Sequence, residues 1–301
     1  MNLQFIADGL IMGALIGLGA IGVTLTYSIL RFANFAHGEF LTWGTYITWV
    51  LTGAIGALVG GSATIGALSF GWPVVAAGVV AALLTGLLAL GLDRILFAKL
   101  RKHGNAIVMV MASFGASMAL RSLLEFLFTS EPHYFSREIQ IAIPLISGIR
   151  LTPDQIFLLV LTAVIVIAME RFMAVSPIGR AMRAVSENPM LARVAGVDVE
   201  RVIRATWLIG AALACAAGVM LGLTVQIRPF MGFDMLLPLF AAAILGGIGS
   251  VPGAVLGGLI VGLAEASAVQ VVGSDYRAAI AFLILIAVLL LKPTGLFGVR
   301  D

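Results

Sequence analysis

Three polar residues fall within six positions in the stretch Arg31–Phe40, RFANFAHGEF: Asn34, His37 and Glu39, with Gly38 between the last two. They interrupt two apolar runs. An amide, an imidazole and a carboxylate so close together can hold a passing solute, or can fix a broken helix whose freed backbone groups face a pathway. The same residues also fit a plain interfacial connection with an aromatic belt of Phe32, Phe35, Phe40 and Trp43. Thr24, Thr26, Ser113 and Ser117 add small hydroxyl groups inside apolar runs. Glu265 stands in another such run without an obvious partner. A carboxylate in hydrocarbon costs about 3 kcal/mol or more, so Glu265 is expected to face protein or water. Arg121 and Glu125, four residues apart, are expected to pair along one helix face.

Other chemistry is hard to find. The three histidines (His37, His103, His133) make no ligand pair at helical spacing, and Cys215 stands alone, so neither a metal cluster nor an intrachain disulfide is expected. There is no Gly-x-x-x-x-Gly-Lys-Ser/Thr loop to cradle a phosphate. Acids and histidines do not line up along adjacent runs as a proton relay would require.

The elements that carry these residues follow from composition. Of 301 residues, 61% are hydrophobic and 11% charged, and the mean hydropathy is +1.11. A soluble domain carries about 25% charged residues, and a water-soluble surface of this size needs them. The same numbers exclude a disordered chain. A net charge of +3 gives no support to nucleic-acid binding. A polytopic membrane protein remains.

Apolar runs cover roughly 9–30, 40–59, 74–92, 106–128, 155–170, 206–225, 235–248, 253–272 and 277–291. The first is preceded by Asp8 and no basic residue and is long enough to span, so it reads as a span and not as a signal peptide. The count is nine, or eight if 235–272 is one long broken element. Basic residues set the orientation. Arg94, Lys99, Arg101 and Lys102 fall in the break 93–105; Arg171, Arg180, Arg183, Arg193, Arg201 and Arg204 in 171–205; Lys292 and Arg300 in the tail. These are 12 of the 18 basic residues, so the three stretches are expected in the cytoplasm, the C-terminus included. The break 129–154 carries Arg137 and Arg150 against Glu131, Glu138 and Asp154, and is expected outside. Parity then asks 235–272 to enter and leave, with a turn near Ser250-Val251-Pro252-Gly253.

Two further patterns constrain the architecture. Glycines recur at four-residue spacing: Gly9, Gly13 and Gly17, and again Gly249, Gly253 and Gly257, then Gly258 and Gly262. Gly210, Ala214, Gly218 and Gly222 form another such row. Small residues at this spacing let helix backbones approach closely, which predicts a tightly packed bundle. The segment 171–205 is also structured. Ala181–Val185 and Leu191–Ala195 are good helix formers, Asn188-Pro189 suits a break and restart, and Gly196 suits a stop. Two short amphipathic helices are expected there, lying either on anionic headgroups or against a cytosolic partner.

Four stretches, in order, resemble the permease subunits of the branched-chain (hydrophobic) amino-acid ABC importers, in particular their shorter, LivH-type permease. They are NFAHGE at Asn34–Glu39, followed by Trp43-Gly44-Thr45-Tyr46; GRAMRAVSENPMLARVAG at Gly179–Gly196; IGAALACAAGVMLG at Ile209–Gly222; and GGIGSVPGAVLGGLIVGLAE at Gly246–Glu265. The ending Pro293–Gly298 also fits, so the resemblance runs from about residue 9 to residue 298.

This resemblance implies a single permease domain over 1–301: an all-α polytopic membrane protein, a Gly-packed bundle of about 8–10 transmembrane helices, some broken or re-entrant, of the type II-like ABC importer kind. It implies an inner (cytoplasmic) membrane of bacterial type, a second related permease subunit, two cytosolic ATPase subunits and an extracytoplasmic solute-binding protein. ATP and Mg would sit on the ATPase subunits, with no cofactor, no metal and no catalysis on this chain. By analogy Arg180, Arg183, Glu187, Asn188, Arg193 and Gly196 belong to an ATPase-coupling surface within 171–205. Arg193 is further expected to cap its own helix. Asn34, His37, Glu39, Ser113 and Glu265 are candidates for the translocation pathway, and Gly9, Gly13, Gly17, Gly249, Gly253 and Gly257 for helix packing. A stand-alone channel or secondary transporter for a small polar solute is the alternative from another class, and a non-transporting scaffold a third.

Overall fold

The computed structural model describes residues 3–59, 64–136, 140–146, 148–273, 276–292 and 294–298. Arg137, Glu138, Pro293 and Arg300, used above for charge and motif, lie outside the described residues. The order is α1 (Gln4–Leu30), α2 (His37–Val59), α3 (Trp72–Leu92), a π-turn (Asp93–Phe97), α4 (Ala98–Leu100), a 3-10 turn (Arg101–His103), α5 (Ala106–Phe128), β1 (Ile143–Ile146), β2 (Ile149–Leu151), α6 (Pro153–Val175), α7 (Pro177–Glu187), α8 (Pro189–Val194), α9 (Val199–Thr224), α10 (Met231–Gly246), α11 (Val251–Val272) and α12 (Arg277–Leu291). Each of the nine apolar runs becomes a helix. Six helices are long and apolar enough, by length and composition, to cross a membrane. α10 and α12 are shorter apolar helices. α2 is interrupted by threonines, and Thr42, Thr45, Thr48 and Thr52 each donate back to the carbonyl four residues earlier.

Burial separates a core from a rim. α1, and α9 beyond its charged first turns, are apolar and largely buried, as helices apolar all round must be. α1 packs on α11, α9 and α10, and α2 packs on α3 and α9. The rim helices show apolar residues outward: Val75, Val79, Leu83 and Leu87 on α3, Ile107, Met111, Phe114 and Met118 on α5, Val160, Val164 and Ile167 on α6. A surface so apolar and continuous has lipid or another membrane chain as its natural solvent.

Glycine sets the closest approaches. α1 and α11 run antiparallel, and Gly9, Gly13 and Gly17 face Leu263, Leu259 and Val255. A Cβ on Gly13 would lie 2.8 Å from the Leu259 Cα. The α11 row divides between two neighbours: Gly258 and Gly262 abut Gly17 and Gly13 of α1, while Gly253 and Gly257 abut Gly246 and Ala242 of α10. Gly249 differs from the expectation. It lies outside the helix at φ 91°, where a Cβ would meet only the Ser28 and Ser186 side chains at ordinary contact distance, and its N–H donates to Thr24 Oγ1 at 2.7 Å. It serves the turn, where the left-handed region favours glycine, and not helix packing.

That turn also sits earlier than expected. α10 ends at Gly246, the chain reverses through Gly247–Gly249, and Ser250 caps α11 by accepting from the Gly253 N–H at 3.1 Å. Pro252 lies in the first helical turn, where its missing N–H costs nothing. Pro-Gly therefore starts the helix instead of making the turn.

The three basic stretches meet at one end of the bundle. Phe97, within the 93–105 break, stacks on Trp207 near the start of α9 and lies against Phe32. Leu296 and Phe297 of the tail donate to the carbonyls of Leu245 and Gly246. At the same end Arg31 reaches the carbonyls of Ser186 and Glu187. The break 129–154 lies at the other end, where Gln4 at the start of α1 exchanges hydrogen bonds with the backbone of Arg150.

Candidate functional site

The break between α1 and α2 is built by local hydrogen bonds. α1 stops at Leu30, and Arg31 takes a left-handed conformation (φ 57°) while its N–H still donates to the Tyr27 carbonyl at 2.8 Å. Asn34 Oδ1 accepts from the Ala36 N–H at 3.1 Å, which starts α2. Ser113 on α5 clamps the segment: its Oγ accepts from the Phe35 N–H at 3.1 Å and donates to the Val110 carbonyl at 2.7 Å. Two residues into α2, Glu39 Oε1 accepts from Ser117 Oγ at 2.9 Å and from Arg121 Nη2 at 3.0 Å. Arg121 also lies over the rings of Phe230 and Phe233, 5.0 and 4.1 Å from their centroids.

Thus hydrogen bonds gather Asn34, Glu39 and Ser113 at the break, with Ser117 and Arg121, while the His37 side chain points elsewhere. Arg121 does not pair with Glu125 along its own helix, as the spacing suggested. Its partner is Glu39, across the α2–α5 interface, where the side chains are 0% and 11% exposed. A fully buried acid is the stronger claimant on the guanidinium, because an unpaired charge there would cost several kcal/mol.

His37 is enclosed beside Gly19 and Gly22 of α1, with no hydrogen bond of good geometry at either ring nitrogen. Asn34, His37, Glu39 and Ser113 do not border any of the five described cavities. In this conformation Asn34, Glu39 and Ser113 brace the helix break.

Glu265 is elsewhere. It lies near the end of α11, 3% exposed, bordering two cavities of about 170 and 440 Å³ at the end of the bundle that carries Arg150. A third cavity of about 440 Å³, lined by Tyr134, Gln140, Asp154 and Gln226, opens at that end too. Asp154 is held there by Ser69 and by Gln140 Nε2 at 2.9 Å.

At the basic end, α7 and α8 form the expected pair of short helices. Asn188 links them: its N–H donates to Ala184 O, and its Oδ1 accepts from the Met190 and Leu191 N–H groups, both at 3.0 Å. Gly196, at φ 86°, donates to Arg193 O and ends α8. Arg180 and Arg183 each give one N–H to the Val175 and Ala174 carbonyls at the end of α6, at 2.7 and 3.5 Å, and both remain exposed. Arg193 stands in the last turn of α8, and its guanidinium makes no hydrogen bond among the described residues. It is exposed along with Met190, Leu191 and Val194.

A helical bundle with an apolar rim, a buried polar helix break and a helix pair at one end defines a polytopic membrane protein of the permease kind. The solved structure titled "PsaBC from Streptococcus pneumoniae in complex with Fab" shares this fold, with a TM-score of 0.52 at 14% identity, over 97% of this chain and 95% of that one. The sequence model of the branched-chain amino acid transport system / permease component family matches residues 5–289, and the chain belongs to that family. The high-affinity branched-chain amino acid transport system permease protein LivH of Escherichia coli K12 is 34% identical, over 98% of this chain and 95% of its own length. BraD of Pseudomonas aeruginosa, with the same description, is 35% identical over the same shares. A probable LivH of Methanocaldococcus jannaschii is 26% identical over 98% and 93%.

Proposed function

We propose that this chain is the translocation subunit of an ABC importer that carries branched-chain amino acids, or close aliphatic relatives, into the cytoplasm. The observation that carries this reading is the family match over residues 5–289, together with near-full-length relatives described as branched-chain amino acid permeases. Residues 1–301 act as one permease domain. A second related permease completes the membrane unit, two cytosolic ATPases bind ATP and Mg, and an extracytoplasmic binding protein delivers the solute. The basic end of the bundle faces the cytoplasm, C-terminus included, by the positive-inside rule. α7 and α8, within 171–205, dock in the ATPase: Met190, Leu191, Val194 and Arg193 face outward there, and Glu187 stands at the junction between the two helices. Nucleotide-driven closure of the ATPases would move this pair as a rigid lever.

The test is reconstitution. The chain, expressed with its neighbouring permease, ATPase and binding-protein genes, is expected to co-purify with the ATPases and to take up leucine, isoleucine or valine in vesicles only with ATP. Uptake by the chain alone would instead make it a channel or secondary transporter, and a complex that takes up none of these amino acids would reject the substrate.

A further inference from the structure

We propose that Glu265 and Arg277 are the two poles of a binding site for a zwitterionic aliphatic amino acid, in the vestibule where α1, α9, α10, α11 and α12 meet. The proposal takes its solute class from the function proposed above and adds where that solute is held.

Glu265 is 3% exposed, and its Oε1 has no hydrogen-bond partner. No ion pair or hydrogen bond among the described residues reaches this carboxylate. A buried structural acid is normally paired, as Glu39 is, because a lone buried charge costs several kcal/mol. An unpaired acid in a cavity wall is a group kept for something that comes and goes. Arg277, at the start of α12, borders the same two cavities and is close enough to Glu265 to act on it electrostatically, yet it does not close onto it.

The other polar groups around these cavities are engaged. Arg228 pairs with Asp234 at 3.3 Å. Asp8 accepts from Gln4 at 3.1 Å. Gln155 belongs to the capping box of α6, and Gln226 accepts from Tyr134. Among the described residues, Glu265 and Arg277 are the lining charges left without a hydrogen bond or ion pair, and they face a common space; Asp8, exposed at the edge of the smaller cavity, is held by the neutral Gln4 amide. The rest of the lining is aliphatic or thioether: Met12, Leu221, Val225, Met231 and Met235.

An α-amino acid matches that arrangement. Its ammonium would sit on Glu265, its carboxylate on Arg277 and its side chain against the methionine wall, which adapts to branched shapes. The larger cavity, about 440 Å³, is in the range of small-ligand sites. Its place fits a relay, since it lies at the end of the bundle opposite α7 and α8. Each pole contributes a charge-assisted contact, so losing one should weaken the site roughly tenfold or more.

The experiment uses the whole importer in vesicles, with Val225→Cys introduced on the cavity wall. Cys215, the chain's native thiol, is buried. Modification of the new thiol by a small thiosulfonate is read on this chain by mass spectrometry. Leucine is expected to slow modification. Isoamylamine and isocaproate, each lacking one pole, are expected not to. Adding Glu265→Gln or Arg277→Gln should abolish the protection and lower leucine uptake roughly tenfold. Equal protection by all three compounds, or none by leucine, would overturn the site. Wild-type leucine uptake, measured in parallel, decides the transport function separately: an importer that takes up leucine without protection keeps its function and loses this site.

Discussion

Arg121 Nη2 and Glu39 Oε1 lie 3.0 Å apart across the interface of α5 and α2, in a bundle whose described residues hold just two other ion pairs, Arg101–Asp93 and the exposed Arg228–Asp234. α5 touches the rest of the bundle sparingly. Its polar attachments to α2 and the preceding break are this pair, Ser117 to Glu39, Ser113 to Phe35, and the Trp43 indole N–H to the Leu120 carbonyl at 3.2 Å. Apolar packing gives little orientational preference within lipid. These bonds therefore fix where α5 stands, and with it the Phe230 and Phe233 rings under the guanidinium.

Glu39→Ala should be strongly destabilising, by about 3 kcal/mol or more, because it leaves Arg121 buried without its partner. Glu39→Leu with Arg121→Leu should recover much of that loss. Thermal unfolding of the purified complex, followed for both variants and for Arg121→Leu alone, gives the coupling between the two residues. Additive losses would show that the pair contributes nothing as a pair.

Arg31→Ala should loosen the join between the helix break and the coupling segment. Its Nη2 donates to Ser186 O and Glu187 O, at 3.2 and 3.3 Å, at the C-terminal end of α7. A cation there contributes about 0.3–1 kcal/mol, so the fold should survive. The expected result is uptake falling several-fold while ATP hydrolysis continues, read as solute moved per ATP consumed. An unchanged ratio would mean that motion passes by another route.

At the outward face of α8, Leu191→Asp should prevent co-purification of the ATPases while the chain still inserts and pairs with its permease partner. Leu191 is 66% exposed, so a carboxylate there stays in water while the chain is free of its partner. Glu187→Ala and Arg193→Ala should have the milder effect of uncoupling hydrolysis from uptake. By contrast, Arg180→Ala and Arg183→Ala should act through the end of α6, lowering stability instead of affinity for the ATPase. A pull-down against the ATPase, with and without each change, separates the two groups.

What could be read from the sequence divides by the range of the interaction. Helix positions followed from runs of apolar residues, and the α7–α8 pair from Asn188-Pro189 and Gly196, because propensity and capping act within a few residues. The Glu39–Arg121 partnership was hidden by 82 residues of separation, and the local rule pointed Arg121 to Glu125 instead. Arg180 and Arg183 were expected on the coupling surface; that each also gives an N–H to a carbonyl at the end of α6 was not legible in the sequence. Glu265 was visible as a lone acid, but the cavity and Arg277 that give it a use exist only once five helices are assembled.

The glycines separate most clearly by substitution. Gly258→Ala and Gly262→Ala put a Cβ against the backbones of Gly17 and Gly13, closer than any carbon contact allows, so α1 and α11 must move apart. Backbone cannot yield as a side-chain tip can, and the added methyl should abolish assembly of the complex. Gly78→Ala and Gly91→Ala on α3 have nothing within 4 Å to meet. There the better helix propensity of alanine should leave stability unchanged or raise it by up to about 1 kcal/mol. Gly249→Ala has space too, yet its φ of 91° is costly for any residue with a Cβ, so it should destabilise through strain in the α10–α11 turn. Size-exclusion profiles and melting temperatures should place Gly78→Ala and Gly91→Ala highest, Gly249→Ala between, and Gly258→Ala and Gly262→Ala lowest. Equal tolerance at Gly258 and Gly78 would mean that α1 and α11 do not approach as closely as the fold requires.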